Sequence, residues 1–191
     1  MVKTATLKDG TTVLVKRLAE GDVGKLCTML RGLSEKTRVF YHDFVILTPA
    51  SFIINYVKFE VRLLLNSFQY RPNGKYFLGI LALCDLNEVV GFVYLRIKSY
   101  GFFKTATYGI VVRDDYQGKG LGNILTSRIL EYARRLKLNV ITLNVITTNE
   151  NALRLYKKHG FDIEGLHKRV DLWRDQVFDA YYMALHLNKI D

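Results

Sequence analysis

The chain has 191 residues, of which 49% are hydrophobic and only two are proline. This length and composition fit one folded domain with a sizeable core, and they argue against a disordered chain. The formal net charge is +10, but the basic residues are spread along the chain and form no single-sign arm, which argues against a nucleic-acid partner.

The sequence shows no targeting signal and no metal-binding signal. The first eight residues have no apolar run of signal-peptide length, and the most apolar region, residues 44–68, contains charged residues and a proline. The two cysteines, Cys27 and Cys84, and the four histidines show no ligand spacing. We therefore expect a cytoplasmic protein with no membrane segment, no disulfide framework and no metal.

The N-terminal half predicts one strand followed mainly by helices. A β-rich stretch after Gly10 predicts the strand, Ser34 is a candidate N-cap, and the Pro49 position is typical of a helix start. The predicted elements are a strand at Thr11–Leu18, a helix from Glu20 to Leu33, a short helix after Ser34, a helix from Thr48 to about Phe68, and a turn at Arg71–Gly74.

The C-terminal half predicts mainly strands, with two helices among them. Short β-branched and aromatic runs separated by turn residues indicate the strands, and apolar residues at helical spacing indicate the longer helix. The predicted elements are strands Tyr76–Leu83, Val89–Ile97 and Phe103–Val112, a helix Gly120–Lys137, a strand Val140–Ile146, a short helix after Asn149, and a final strand pair, Gly165–Leu172 and Val177–Leu187.

A strand, a glycine-rich loop and a helix follow one another around residues 110–125. The strand ends in Ile110-Val111-Val112, and the loop carries Gly118, Gly120 and Gly122. A helix start presents unpaired N–H groups and a positive dipole end, and glycines let the backbone approach an anion, so this order predicts a phosphate site. Lys119 adds a point charge. The loop is neither the G-x-G-x-x-G dinucleotide pattern nor a P-loop, because residue 123 is Asn and no Gly-Lys-Ser/Thr follows.

Two motifs in this half resemble those of the GNAT N-acetyltransferases. Gln117-x-x-Gly120-x-Gly122 is similar to the family signature Q/R-x-x-G-x-G/A, and Asn149-x-x-Ala152-x-x-Leu155-Tyr156-x-x-x-Gly160-Phe161 is similar to its second motif. The resemblance covers residues 75–187, and residues 7–40 resemble protein-lysine acetyltransferases more loosely. It implies a single α/β domain over residues 1–191, with a central, mostly antiparallel mixed sheet flanked by helices.

The resemblance also implies a co-substrate and a set of site residues. Acetyl-CoA is the implied acetyl donor and a primary amine the acceptor, with direct attack in a ternary complex. Backbone N–H groups around the pyrophosphate would come from Gln117, Gly118, Lys119, Gly120, Gly122 and Asn123. The pantetheine arm would lie along Ile110, Val111 and Val112, with the Val112 N–H facing the thioester carbonyl, and beside Asn149 and Ala152. Tyr156 would be the general acid for the leaving thiolate, with a purely structural role in the core as the alternative.

The general base is left open. Where the protein-lysine acetyltransferases carry a glutamate, this chain has Thr107, which cannot act as a base near neutral pH. Other candidates are Glu60, Asp171, Asp175 and His167, none of which belongs to a motif. The acceptor is therefore open among lysines, N-termini, polyamines and other small amines. The alternatives are a CoA-binding sensor without turnover and a basic ribosome- or RNA-associated protein, and a homodimer is compatible with the C-terminal strands.

Overall fold

One eight-stranded sheet runs through the domain. The computed structural model describes residues 2–40, 75–173 and 176–187. The strands are β1 (Lys3–Thr6), β2 (Thr12–Arg17), β3 (Lys75–Leu83), β4 (Val89–Tyr100), β5 (Phe103–Val112), β6 (Val140–Ile146), β7 (Asp162–Trp173) and β8 (Gln176–His186). The described helices are α1 (Val23–Arg31), α2 (Glu35–Phe40), α3 (Leu121–Arg135) and α4 (Glu150–Lys158).

The order of the strands is β1-β2-β3-β4-β5-β6-β8-β7. Neighbouring strands pair antiparallel except β5 and β6, which pair in parallel. A parallel pair needs a crossover connection, and α3 supplies it between these two strands. The predicted mixed, mostly antiparallel sheet with one β-α-β unit is confirmed.

Two hydrophobic cores cover the two faces of the sheet. On one face, the apolar stripe of α3 packs against strands β2 to β6, as the helical spacing predicts. Its buried members are Leu121, Leu125, Ile129 and Ala133. On the other face, α1 packs against β3, β4 and β5, where the rings of Phe77, Phe92 and Tyr94 stack with centroids 5.4–6.2 Å apart. The half-buried Cys27 and Cys84 pack against these cores.

Strand β1 is an addition to the predicted elements. It is only four residues long and mostly exposed, so its lysine and threonines show no apolar alternation. It forms because its residues pair antiparallel with β2, from Lys3 opposite Val15 to Thr6 opposite Thr12. The other predicted strands of the described ranges are confirmed, with β4 and β7 longer than predicted.

The helices follow the predicted signals closely. A 3-10 turn at Glu20–Asp22 precedes α1, and Ser34 caps α2 by accepting the Thr37 N–H at 3.2 Å. The predicted helix at Thr48–Phe68 and the turn at Arg71–Gly74 lie outside the described residues. None of the helices in the described ranges combines the length and the apolar composition of a membrane span.

Candidate active site

Strands β5 and β6 separate beyond a short region of pairing. They pair only from Thr105 opposite Val140 to Thr107 opposite Thr142. Beyond this point β5 continues to Val112 and β6 to Ile146. The two strand edges therefore open like a V on the side of the glycine loop, and a gap between two strand edges can accept an extended chain.

The backbone of β5 presents alternate residues to this gap. The Arg113 N–H donates to Val90 O at 2.9 Å, so Arg113 and every second residue before it face β4. On the other side of the strand, Lys104 O accepts the Asn139 N–H at 2.8 Å. By this alternation the backbone groups of Ile110 and Val112 face the gap, and those of Val111 face β4. The structure thus places Val112 on the correct side for its predicted role, which stays a prediction.

The glycine loop connects the end of β5 to the start of α3. A 3-10 turn spans Asp114–Tyr116, and Gly118 and Gly120 have φ of 73° and 91°, which side chains with a Cβ rarely tolerate. The first intrahelical bond described is from the Ile124 N–H to Gly120 O, at 3.2 Å. The N–H groups of residues 118–123 have no acceptor among the described residues, which leaves a nest of donors at the positive end of a 15-residue helix.

Gln117 makes hydrogen bonds of its own at the start of this nest, and its predicted contact with the pyrophosphate stays a prediction. Its backbone N–H, predicted to face the pyrophosphate, donates to Asp114 O at 3.2 Å and closes the 3-10 turn. Its side chain is also used, because Nε2 donates to Val112 O and to Thr37 Oγ1, each at 3.0 Å. Gln117 therefore holds the loop against the strand end and α2, while residues 118–123 form the nest.

Asp114 joins the loop to the N-terminus of α2. Its carboxylate accepts the Ser34 N–H at 2.9 Å and the hydroxyls of Ser34 and Thr37 at 2.5 Å each. Partial burial alone would raise the pKa of Asp114, but these hydrogen bonds outweigh it and the pKa is lowered. The carboxylate is thus ionised at neutral pH. No sequence motif indicated this link, because its partners are 77 and 80 residues away.

The tip of the β1–β2 hairpin packs against the same loop. The Lys8 N–H donates to Lys119 O at 3.0 Å, and Lys119 Nζ lies 2.9 Å from Asp9 Oδ2 and 5.1 Å from the ring centre of Tyr116. The hydrogen bond from Lys119 is the main reason why the pKa of Asp9 falls to about 2. The predicted point charge of Lys119 is therefore paired with a carboxylate. Sequence reasoning assigned no role in the site to Lys8 or Asp9, although both lie in the stretch that loosely resembles protein-lysine acetyltransferases.

Helix α4 carries the second motif and packs against the loop helix. Asn149 caps it by accepting the Ala152 N–H through Oδ1 at 3.2 Å, so the helix predicted after Asn149 is confirmed and Asn149 is its N-cap. Leu155 lies against Gly122, since a Cβ on that glycine would come within 3.4 Å of Leu155 Cδ2. His159 Nε2 and Asn123 Oδ1 are 3.0 Å apart. The two motifs therefore form one packed unit.

Tyr156 lies on the inner face of this helix and is buried. Its ring makes an edge contact with Tyr108, with centroids 5.7 Å apart, and a tilted contact with Phe161 at 5.9 Å. Tyr108 in turn bonds through its hydroxyl to Thr126 Oγ1 at 2.7 Å. Burial raises the pKa of Tyr108 well above its ordinary value, so this phenol stays neutral. Both the structural and the catalytic interpretation of Tyr156 are compatible with this position.

The candidates for the general base lie in different parts of the chain, and only some of them are among the described residues. Thr107 lies at the last β5–β6 pair, opposite Arg96 of β4, so the sheet places it at the apex of the gap. His167 is exposed on β7, where its ring stacks on Tyr182 with centroids 5.9 Å apart. Asp171 belongs to β7. Glu60 and Asp175 lie outside the described residues.

Comparison with known proteins identifies this arrangement. The family model described as "Acetyltransferase (GNAT) family" matches residues 42–161. The chain belongs to the GNAT acetyltransferase family. The predicted family and its α/β fold are therefore confirmed, and the nest, the gap and the second-motif helix are parts of a GNAT domain.

Curated relatives match the chain over part of its length. An L-amino acid N-acetyltransferase of Escherichia coli is 32% identical over 106 residues, which are 54% of this chain and 65% of that protein. An N-alpha-acetyltransferase of Mycobacterium tuberculosis is 38% identical over 81 residues, or 42% of this chain and 48% of that protein. The chain spans about half to two-thirds of the length of the curated relatives it matches.

Solved structures share the fold over nearly the whole chain. A GNAT-family acetyltransferase of Streptococcus pneumoniae aligns with a TM-score of 0.73 at 23% identity, covering 92% of this chain and 99% of that one. Spermidine N-acetyltransferase of Vibrio cholerae, in complex with CoA and spermine, aligns with a TM-score of 0.69 at 19% identity, covering 91% and 95%. At these identities the likeness concerns the fold.

Proposed function

We propose that this protein transfers an acetyl group from acetyl-CoA to a primary amine by direct attack in a ternary complex. The observation that carries the proposal is the meeting of three features: the V-shaped gap between β5 and β6, the N–H nest of residues 118–123, and Tyr156 beside the gap-lining strand. Each feature alone occurs in many proteins. The three together can bind a diphosphate-bearing carrier and hold its thioester beside a proton donor.

The residues present fit acetyl-CoA as co-substrate. The nest and the positive end of α3 match the pyrophosphate in charge and hydrogen bonding, and the gap-facing backbone of Ile110 and Val112 matches the amides of the pantetheine arm. In this proposal the Val112 N–H polarises the thioester carbonyl, and Asn149 and Ala152 lie beside the arm. Two neighbouring structures, from Vibrio cholerae and Salmonella typhimurium, hold CoA and acetyl-CoA, which supports the assignment.

The reaction needs a proton donor and a neutral amine. We assign Tyr156 as the acid, because its buried ring contacts the gap-lining strand and its phenol O–H can pass a proton to the leaving thiolate. The amine nitrogen attacks the thioester carbon, the C–S bond breaks, and the leaving thiolate takes the proton of Tyr156. The proton lost by the amine goes to water, and water returns a proton to the Tyr156 phenolate. No enzyme-bound acetyl intermediate is required.

We propose an α-amine, of an amino acid or a peptide N-terminus, as the acceptor. Thr107 offers no carboxylate to deprotonate the amine, so the neutral fraction of the free acceptor limits the rate. With a pKa of about 7.7–8.0, a peptide α-amine is roughly a quarter to two-fifths neutral at about pH 7.5, against about 0.1% for a lysine side chain of pKa about 10.4. This argument supports the peptide N-terminus. A free amino acid has a more basic α-amine, so for that acceptor the proposal is supported by the relatives. The relatives named above act on L-amino acids and N-alpha-amines by their names.

Thiol release from acetyl-CoA across an amine panel tests the proposal. The panel contains free L-amino acids, a lysine-free peptide with a free N-terminus, the same peptide acetylated at its N-terminus and carrying one lysine, and spermidine. We expect release with the first two classes and a rate that rises with pH up to the pKa of the amine. Turnover restricted to the lysine peptide or spermidine would contradict the acceptor class.

The alternative is a CoA-binding sensor without turnover, which the threonine at position 107 favours. It predicts that acetyl-CoA raises the melting temperature while no amine releases thiol. Binding without release from any panel member, and without release when folded acceptor proteins are added to the panel, would support the sensor over the enzyme. A cytoplasmic location and a homodimer stay predictions that sedimentation and localisation experiments can test.

A further inference from the structure

The N-terminal hairpin tip, residues 7–10, lies on the phosphate nest although it is outside the two GNAT motifs that predicted the nest. Its backbone bond from the Lys8 N–H to Lys119 O has an orienting effect. Across a trans peptide the C=O and N–H point in opposite directions, so this bond also fixes the direction of the Gly120 N–H. The hairpin tip is thus part of the wall that shapes the site.

The Lys8 side chain runs along Gly120. A Cβ built on Gly120 would meet Lys8 Cγ, Cε and Cδ at 3.4, 3.6 and 3.8 Å. Since the Lys8 ammonium is one bond beyond Cε, it lies within about 5 Å of the Cβ position built on Gly120. Lys8 is exposed, and none of the ion pairs in the described ranges includes it.

Lys119, the lysine inside the motif, has its charge paired. Its ammonium lies 2.9 Å from Asp9 Oδ2, and Asp9 also accepts the Thr11 N–H through Oδ1 at 3.1 Å. The pair is neutral overall, so it contributes little net attraction for a distant anion. Without Lys119, however, Asp9 would leave a bare negative charge next to the nest.

From these contacts we infer that Lys8 is the lysine that binds the pyrophosphate of the co-substrate, and that Lys119 serves chiefly to neutralise Asp9. The inference rests on the proposed function, since it takes the nest to be the pyrophosphate site. It adds a binding residue from the β1–β2 hairpin, and it assigns the ligand class as a diphosphate.

Calorimetric titration of CoA into the Lys8→Met variant is the first test. Methionine keeps the packing along Gly120 and removes only the charge, and Lys3→Met on the same hairpin is the matched control. We expect Lys8→Met to weaken CoA binding about tenfold at low salt, less at high salt, and Lys8→Arg to restore it. The same loss with 3′-dephospho-CoA is expected, because that ligand keeps the pyrophosphate.

The outcomes separate the two proposals. If the wild-type protein binds neither ligand, the proposed function fails. If wild type binds and Lys8→Met binds as tightly as Lys3→Met, the role of Lys8 is wrong while the proposed function stands. If Lys8→Met weakens the binding of CoA but not of 3′-dephospho-CoA, Lys8 binds the 3′-phosphate and the pyrophosphate assignment is overturned.

A double-mutant cycle tests the role of Lys119. Lys119→Met should weaken CoA binding because it exposes the charge of Asp9, and adding Asp9→Asn should restore most of the affinity, since asparagine keeps the Oδ1 acceptor for Thr11. A double variant that binds as weakly as Lys119→Met would show that the Lys119 ammonium binds the phosphate itself, which contradicts the inference.

Discussion

Replacing Thr126 with valine should remove the hydrogen bond that joins strand β5 to helix α3. Thr126 Oγ1 donates to Gly122 O at 2.7 Å, so its oxygen accepts the Tyr108 hydroxyl, also at 2.7 Å. The two residues are 0% and 3% exposed. Valine has nearly the same shape as threonine, so the substitution leaves the Tyr108 hydroxyl in the core without an acceptor.

The expected loss of stability is larger for the Thr126 variant than for the Tyr108 variant. A buried hydroxyl without a partner costs about 1–3 kcal/mol, so we expect Thr126→Val to lower the free energy of unfolding by about 2 kcal/mol. Tyr108→Phe should cost about 1 kcal/mol, because Thr126 keeps its bond to Gly122. For a chain of this size the Thr126→Val loss corresponds to a melting temperature lower by about 4–8 °C.

Urea unfolding followed by circular dichroism measures these losses, with the single variants compared at equal m-values. The double variant Tyr108→Phe with Thr126→Val should be at least as stable as Thr126→Val alone, since the unpartnered hydroxyl is then gone. If the two single losses simply add in the double variant, or if Tyr108→Phe costs more than Thr126→Val, the hydrogen-bond argument is wrong.

Three further predictions concern the site. Gly120→Glu should abolish CoA binding in a titration, because φ is 91° and the side chain brings charge and bulk into the nest; Gly101→Glu, also at a positive φ of 68° but in open space, should bind normally. Tyr156→Phe should lower turnover by about 10²-fold or more with little change in CoA affinity, and an unchanged turnover number would make this tyrosine structural. Burial lowers the pKa of His159, helped by neighbouring basic charges, so its contribution to stability is present above about pH 6.5 and is lost as the pH falls through its lowered pKa. His159→Gln, which can keep a bond to Asn123, should reduce that loss in acid unfolding curves; identical curves for variant and wild type would contradict it.

Local patterns in the sequence determined most of the fold. They also determined those parts of the site that depend on contacts between neighbouring residues of the chain. The α3 stripe follows from 3.6-residue spacing, the Asn149 cap from a contact three residues away, and the loop from glycines that adopt positive φ. In each case the interacting residues are neighbours in the chain, so a short window contains the whole physical cause.

Tertiary structure alone decided how these parts meet. The separation of β5 from β6, the link from Asp114 to α2 and the pairing of Asp9 with Lys119 join residues far apart in the chain. Such contacts leave no periodicity and no spacing in the sequence, and the exposed β1 had no apolar pattern to indicate it. In the proposed site, which lysine is left to face the phosphate depends on where a distant carboxylate lies, because an ion pair is set by distance in space and not by position along the chain.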